Sequence, residues 1–333
     1  DVDKNGFMMK IMNIAVFTSG GDAPGMNACI RAIVRKSMHS NIEVVGALRG
    51  YDGLINNDFI QLDKSSVGNI IQKGGTILKT ARSIDFITVK GRKQAFENIQ
   101  KNNIDAIVAI GGDGTFSGAA IFASEFGVPI IGIPGTIDND LYGTDDSIGY
   151  DTALNTIVDA VDKIRDTANS HDRLFIVEVM GKDAGFIALR SGVAVGAEAI
   201  LVPETHTYID HLLNKLGRER RKSKSGSIII VAEGDGYGGA YKVADAVKEK
   251  YDHLDIRVSI LGHIQRGGNP SAFDRVLASR LGAGAVDALQ GGRRGEMIGL
   301  VNKELVFTPF EKAVKHHKEL NKQLLSLGEV LAL

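Results

Sequence analysis

Three times in this chain a short, β-branched apolar run ends in a glycine-bearing turn, and that pattern leaves few architectures open. Ile14 to Phe17 runs into Thr18-Ser19-Gly20-Gly21-Asp22 ahead of a helical stretch around Met26 to Met38. Ile104 to Ile110 opens into Gly111-Gly112-Asp113-Gly114-Thr115 before the helical stretch Phe116 to Phe126. Val128 to Ile133 delivers Pro134-Gly135-Thr136-Ile137-Asp138-Asn139-Asp140. Runs this short, rich in branched residues and bounded by breakers, read as buried strands. Pro129, lacking an amide hydrogen, fits only the start or an edge of its strand.

Further strand candidates lie near Val44, Phe175, Leu201, Ile229, Val258 and Ile298, with helical stretches between most of them. Strands alternating with helices predict parallel sheets covered on both faces, and ligands at the carboxyl ends of the strands. At 333 residues the chain has room for two such domains, and 44% hydrophobic with 24% charged residues is ordinary for a globular protein. A domain boundary falls near Tyr150, although no proline-rich linker marks it. Arg165 to Arg173 reads as a helix end and a connection into a second sheet, and Arg218 to Ser227 as a solvated basic loop.

A formal net charge of −1 provides no general field for nucleic acid or anionic lipid, so any basic site is local. The single cysteine, Cys29, rules out an internal disulfide framework and a cysteine zinc cluster; its place on the apolar face of the first helix points to packing. No apolar run approaches membrane-spanning length, and the first residues lack the charged-then-apolar pattern of a signal peptide. A cytoplasmic protein is expected, with neither nucleic acid nor membrane as partner.

The turns carry the chemistry. Backbone amides of a glycine-rich turn, with the helix start behind it, form an anion site, and Asp113 is placed to hold a metal that neutralises phosphates. Two acids at spacing i, i+2, Asp138 and Asp140, suit a division between accepting a proton and positioning a hydroxyl or metal. The competing reading of that tract is an Asx-type turn with a solvated face. Gly112-Asp113-Gly114-Thr115-Phe116-Ser117-Gly118 nearly spells a dinucleotide fingerprint, but the spacing is off by one, and Asp138 does not stand at a strand tip where a ribose would meet it. Farther on, Gly262-His263-Ile264-Gln265-Arg266-Gly267-Gly268 offers imidazole and guanidinium groups on one turn, suited to a sugar phosphate. Arg173 before a strand, Arg257 on one and Glu233 after one are candidates to line the same region, though each taken singly reads as a surface charge.

Taken together, SGGDAPGMN from Ser19, GGDGT from Gly111, PGTIDND from Pro134, VEVMG from Val177 and GHIQRGG from Gly262 resemble the bacterial-type ATP-dependent 6-phosphofructokinases, in that family's order and from about Met12 to beyond Arg280. The resemblance implies an α/β fold of two doubly wound parallel-sheet domains with the active site in the cleft between them. Residues 10–149 would bind ATP, 150–262 the sugar phosphate, 263–312 would return to the ATP-binding domain, and a C-terminal helix in 313–333 would pack on the second. It further implies a homotetramer whose sugar sites borrow residues from a neighbour. The implied reaction moves the γ-phosphoryl of MgATP to the 1-hydroxyl of fructose 6-phosphate, the committed step of glycolysis.

Carried over motif by motif, Asp138 is the base, with Thr136 and Asp140 holding that end of the sugar. Asp113 goes with Mg²⁺. Gly21, Tyr51, Arg82, Gly114, Thr115 and Gly118 match positions around the nucleotide, Arg82 near its phosphates. Met180, Gly181, Glu233, His263 and Arg266 match the sugar-phosphate site, with Arg173 and Arg257 reaching across from the neighbour. Lys182 stands where many relatives have Arg, which replaces a forked contact with a point charge in the catalytic set. Arg31, Arg35, Arg165, Glu198, Lys222 and Lys224 fall at the family's effector positions, for ADP or phosphoenolpyruvate, whereas Lys64 replaces an Arg and Asn69 an Asp. Pyrophosphate-using relatives tend to carry Asp in place of Gly114 and Lys in place of Gly135; glycine at both leaves room for ATP. A pyrophosphate enzyme and a non-catalytic ligand-sensing relative are the alternatives, and intact Asp138, Asp113 and Arg82 argue against the second.

Overall fold

The structure is a computed structural model that describes residues 11–171, 173–205, 209–210, 212–214, 227–316 and 318–332. Eleven strands are defined among them: β1 Asn13–Thr18, β2 Glu43–Ala47, β3 Phe59–Leu62, β4 Ala106–Gly111, β5 Ile130–Pro134, β6 Leu174–Val179, β7 Ala199–Leu201, β8 Ser227–Ala232, β9 Ile256–Ile260, β10 Glu296–Val301 and β11 Glu304–Pro309. The helices with defined bounds are α1 Met26–His39, α2 Tyr51–Asn56, α3 Val89–Lys101, α4 Asp113–Phe126, α5 Tyr150–His171, α6 Phe186–Ala194, α7 Gly239–Lys250, α8 Ala272–Gln290, α9 Phe310–Lys315 and α10 Lys322–Leu331.

Two compact units result. The first gathers the described residues up to Thr136, Leu141–Asp151 and Arg266–Lys318; the second holds Ile137–Asp140, Thr152–Gln265 and the described residues from Glu319 on. The first unit's sheet runs β11-β10-β5-β4-β1-β2-β3. Its five central strands are parallel, and β1, β4 and β5 are buried almost throughout because helices cover both faces. Phe17, Tyr51, Phe86, Phe116 and Phe122 fill the core on one side. Elsewhere in this unit α1 meets α8 so closely that a Cβ on Gly282 would stand 2.8 Å from the Cys29 carbonyl oxygen. Cys29 is fully buried, which pushes its thiol pKa up and makes it a packing residue, as the sequence predicts.

Antiparallel pairs flank the parallel centre of this sheet. β3 pairs antiparallel with β2, and β11 antiparallel with β10. Asn302 and Lys303, at φ 50° and 69°, form a two-residue connection in the left-handed region, whose twist suits a tight hairpin.

The second unit's sheet, β7-β8-β6-β9, is wholly parallel. Leu174, Ile176, Ile229, Val231 and Val243 form its core. Here the expected cover is incomplete. Every residue of β9 is at least partly exposed, with Arg257 and Ile260 outermost, so this edge strand lacks the two-sided burial of β8. The stretch Arg165 to Arg173 holds the end of α5 at His171 and stops just before β6 begins at Leu174, as the sequence predicts. The predicted basic loop after Arg218 lies outside the described residues apart from Ser227, which begins β8.

Candidate active site

In the first sheet the chain winds outward from β1 to β2 and then returns to the other side of β1 as β4, which makes the β1/β4 boundary the switch point. Two of the glycine-rich turns leave the carboxyl ends of these strands. They are tied together: the Ser19 amide donates to the Ile110 carbonyl (3.0 Å), and Thr115 Oγ1 donates to the Ser19 carbonyl (3.2 Å). Only glycine fits at 111, where a Cβ would lie 2.3 Å from Thr115 Oγ1 and 2.6 Å from the Ser19 carbonyl oxygen.

Helix α4 starts at Asp113, three residues before the predicted Phe116, with Gly112 at its N-cap. The Thr115 and Phe116 amides bond back to the Gly112 carbonyl (3.0 and 3.1 Å), so those of Asp113 and Gly114 are the ones left for an incoming anion. A Cβ on Gly114 would meet nothing within 4 Å, whereas one on Gly118 would press on the Tyr51 ring at 3.1 Å. Oδ1 of Asp113 is buried without a hydrogen-bond partner. A buried carboxylate oxygen left without a partner suits a hard divalent cation. Among the described residues no group of three or more His, Cys, Asp or Glu could hold a metal, so such an ion would complete its shell from substrate phosphates and water, as Mg²⁺ commonly does.

Tyr51 lies beneath this turn. Its ring stacks on Phe86 (3.8 Å between centroids), its hydroxyl donates to the Thr115 carbonyl (2.5 Å), and burial pushes its pKa up. Thr80 Oγ1 donates to the Gly20 carbonyl (2.7 Å) and carries the chain on to Arg82, which is exposed. The Arg266 guanidinium lies over the first turn, with Nη1 donating to the Asp22 carbonyl (3.2 Å).

Beyond β5, the Gly135 amide donates to the Gly111 carbonyl (2.9 Å) and Ser147 Oγ to the Thr136 carbonyl (2.6 Å). The Thr136 Cβ comes within 3.6 Å of where a Gly112 Cβ would stand. Thr136 belongs to the first unit, while Asp138 and Asp140 belong to the second. Asp138 is 9% exposed, which a solvated Asx turn would not give, and Asn139 takes the left-handed conformation that Asn tolerates.

In the second unit the switch point falls between β6 and β9. The Met180 amide donates to Gln265 Oε1 (3.1 Å), and Gln265 Nε2 to the Gly262 carbonyl (2.9 Å), fixing the two strand-end turns to each other. Oε1 of Glu233 accepts from the amides of Gly181 (3.2 Å) and Lys182 (2.7 Å) and holds Lys182 at φ 56° with its side chain exposed. Arg173 and Arg257 share one carboxylate, Asp255, at 2.6 and 3.0 Å. The hydrogen bond from Arg173, then the two guanidinium charges, hold that carboxyl below the usual range. His263 is exposed on its turn.

The remaining predicted positions divide between the units. Arg31 and Arg35 sit on α1, Arg35 exposed; Lys64 is exposed in a turn where the Ser66 amide and the Ser65 hydroxyl hold the Asp63 carboxyl far down. Asn69 is left-handed at φ 54°, a conformation Asn adopts more readily than most residues. In the second unit Arg165 donates to the Val195 carbonyl and buried Glu198 accepts from the Ile228 amide. Lys222 and Lys224 lie outside the described residues. Sequence reasoning missed Asn27, Arg92, Glu125, Asp255 and Ser147, which act on backbone or on other charges. The one available signal was a polar Asn27 between apolar Met26 and Ala28.

Comparison with known proteins gives the family. The family model described as phosphofructokinase matches residues 13–289. The ATP-dependent 6-phosphofructokinase 2 of Bacteroides thetaiotaomicron is 55% identical over 320 residues, covering 96% of this chain and 98% of its own. ATP-dependent 6-phosphofructokinase 1 of Thermus thermophilus is 54% identical over 96% of this chain and 99% of its own. The phosphofructokinase structure from Saccharomyces cerevisiae superposes with a TM-score of 0.87 at 38% identity, over 91% of this chain; this chain spans 45% of that longer one. The chain therefore belongs to the phosphofructokinase family.

Proposed function

We infer that the chain transfers the γ-phosphoryl group of ATP to the 1-hydroxyl of fructose 6-phosphate, yielding fructose 1,6-bisphosphate and ADP and so committing the sugar to glycolysis. Relatives alike over nearly their whole length carry the name of that activity. The observation that carries the reading is the first turn of α4, where Asp113 keeps a buried oxygen without a hydrogen-bond partner and the next residue, Gly114, leaves its own surroundings open.

Asp138 accepts the proton of the 1-hydroxyl while its oxygen forms a bond to the γ-phosphorus and the bond to the β–γ bridging oxygen breaks. Thr136 and Asp140 orient the hydroxyl. The amides of Asp113 and Gly114 and the charges of Arg82 and Lys182 oppose the negative charge on the transferred group, with Lys182 acting as a point charge. Asp113 would hold Mg²⁺, and that ion would supply further neutralisation of the phosphates. Glu233, Met180, His263 and Arg266 hold the sugar phosphate, and Arg173 with Arg257 serve the site of a neighbouring subunit in a homotetramer. Subunit exchange between Arg257→Ala and Asp138→Asn chains tests that assembly, since each supplies what the other lacks; no recovered activity after proven exchange places the whole site in one subunit.

Arg31, Arg35, Lys64, Arg165 and Glu198, with Lys222 and Lys224, form the effector set for ADP or phosphoenolpyruvate. Titration of fructose 6-phosphate with and without each effector, on the wild type and on Arg35→Ala, reads the coupling; identical curves throughout refute it. Such coupling is typically about 1 to 3 kcal/mol. No described helix is long and apolar enough to cross a membrane; the cytoplasmic location is inferred from the glycolytic reaction.

The donor is tested by supplying fructose 6-phosphate with ATP or pyrophosphate as the sole donor and identifying the product by ³¹P NMR. Bisphosphate from ATP alone is expected. Turnover with pyrophosphate alone would make the chain a pyrophosphate-dependent enzyme, and none with either would make it a ligand-sensing relative.

A further inference from the structure

The segment from Lys73 to Ile87 is a strap across the first unit, fastened at both ends by side chains that bond to its backbone. Asn27, on α1 and 2% exposed, spends its whole amide there. Its Nδ2 donates to the carbonyls of Lys73 (3.2 Å) and Gly74 (3.1 Å), and its Oδ1 accepts the Ile77 amide (2.8 Å). Buried Thr18, the last residue of β1, donates to the Lys79 carbonyl (2.7 Å) and meets Thr76 Oγ1 (2.9 Å). Thr80 ties the strap to the first phosphate turn through the Gly20 carbonyl (2.7 Å).

At the far end Arg92, on α3, donates from Nη1 to the carbonyls of Phe86 (3.1 Å) and Ile87 (2.6 Å). The same guanidinium forks onto Glu125 at 2.6 and 2.7 Å. Glu125 lies on α4, the helix that begins at Asp113. Between these fastenings stands Arg82, exposed and with no hydrogen bond or ion pair of its own among the described residues. A side chain so placed takes its position from its backbone alone.

We propose that Asn27 is a positioning residue that acts through Arg82: by ordering the strap it fixes where the Arg82 guanidinium meets the donor phosphates. The proposal rests on the assignment of Arg82 to those phosphates. The three bonds are all to main chain, so they set the path of the strap without contributing a group to any ligand. An unfastened strap would retain its charge and lose its aim, and misplacement by about 1 Å is enough to cost a large factor in rate.

The test is a double-mutant cycle on the full chain, reading kcat and KM for ATP in the wild type, Asn27→Ala, Arg82→Ala and the double variant, with rates normalised to the folded fraction. Asn27→Ala should lower kcat about tenfold when Arg82 is present and less than about twofold when it is absent, because coupled residues do not add. Equal losses in both backgrounds would mean that Asn27 serves stability only, and would overturn the proposal while leaving the role of Arg82 intact. Should Arg82→Ala prove harmless, the assignment of Arg82 falls and the proposal with it. If Asn27→Ala accumulates unfolded, Thr80→Val carries the same cycle with the same two outcomes, since it removes a single strap-to-turn bond.

Discussion

The guanidinium of Arg266 occupies the space directly above Gly21: a Cβ built on Gly21 would stand 2.3 Å from Nη1 and 2.8 Å from Cζ. Glycine at this position thus serves the arginine as much as the turn, since Gly21 is not among the residues at positive φ. Gly21→Ala should therefore displace Arg266 and lower kcat/KM at least about tenfold, with little change in thermal stability because the position is exposed. Kinetics beside a melting curve decide it. An alanine variant with full activity would show that Arg266 moves aside without cost.

Removing Asp255 should loosen both guanidinium groups that share it. Asp255→Asn is expected to raise KM for fructose 6-phosphate several-fold while leaving KM for ATP alone, since Arg173 and Arg257 would then repel and lose their common anchor.

The same carboxylate gives a pH signature. Its pKa is depressed in the folded chain, so its contribution to stability is present above the unfolded value and fades as pH falls through the folded one. The difference in melting temperature between wild type and Asp255→Asn should be largest near neutrality and shrink on acidification. A difference that grew towards acid would reverse the assignment.

Arg92 is nearly buried and its charge is matched by Glu125, which is about one third exposed. Glu125→Ala leaves that guanidinium uncompensated and should destabilise the fold by about 1 to 3 kcal/mol, less than a fully buried pair would cost. Denaturant unfolding measures it, and a neutral result would mean that water replaces the carboxylate.

Much of the fold was legible because parallel central strands carry unbroken apolar runs. All nine predicted strands are present, and the turns after β1, β4, β6 and β9 stand at the two switch points. What escaped notice were β3 and β11, edge strands whose partly exposed residues dilute the pattern, and the hairpin at Asn302-Lys303, which lacks the usual glycine. The start of α4 was misplaced because Gly112 and Gly114 weaken any helical signal, although Asp113 suits a first turn well. In the candidate site, residues that touch ligands announced themselves through glycine-rich contexts. Asn27, Arg92 and Asp255 did not, because their partners are main-chain groups or distant charges that no local spacing encodes.

Turnover by Asp138→Asn tests the account most directly. The amide keeps the shape of the side chain and cannot accept the proton of the sugar hydroxyl. With Asp138 as the base, kcat for ATP-driven phosphorylation of fructose 6-phosphate should fall roughly 10²- to 10⁴-fold, while equilibrium binding of the sugar phosphate, followed by calorimetry, stays near the wild-type value. Near-normal turnover in that variant would contradict it.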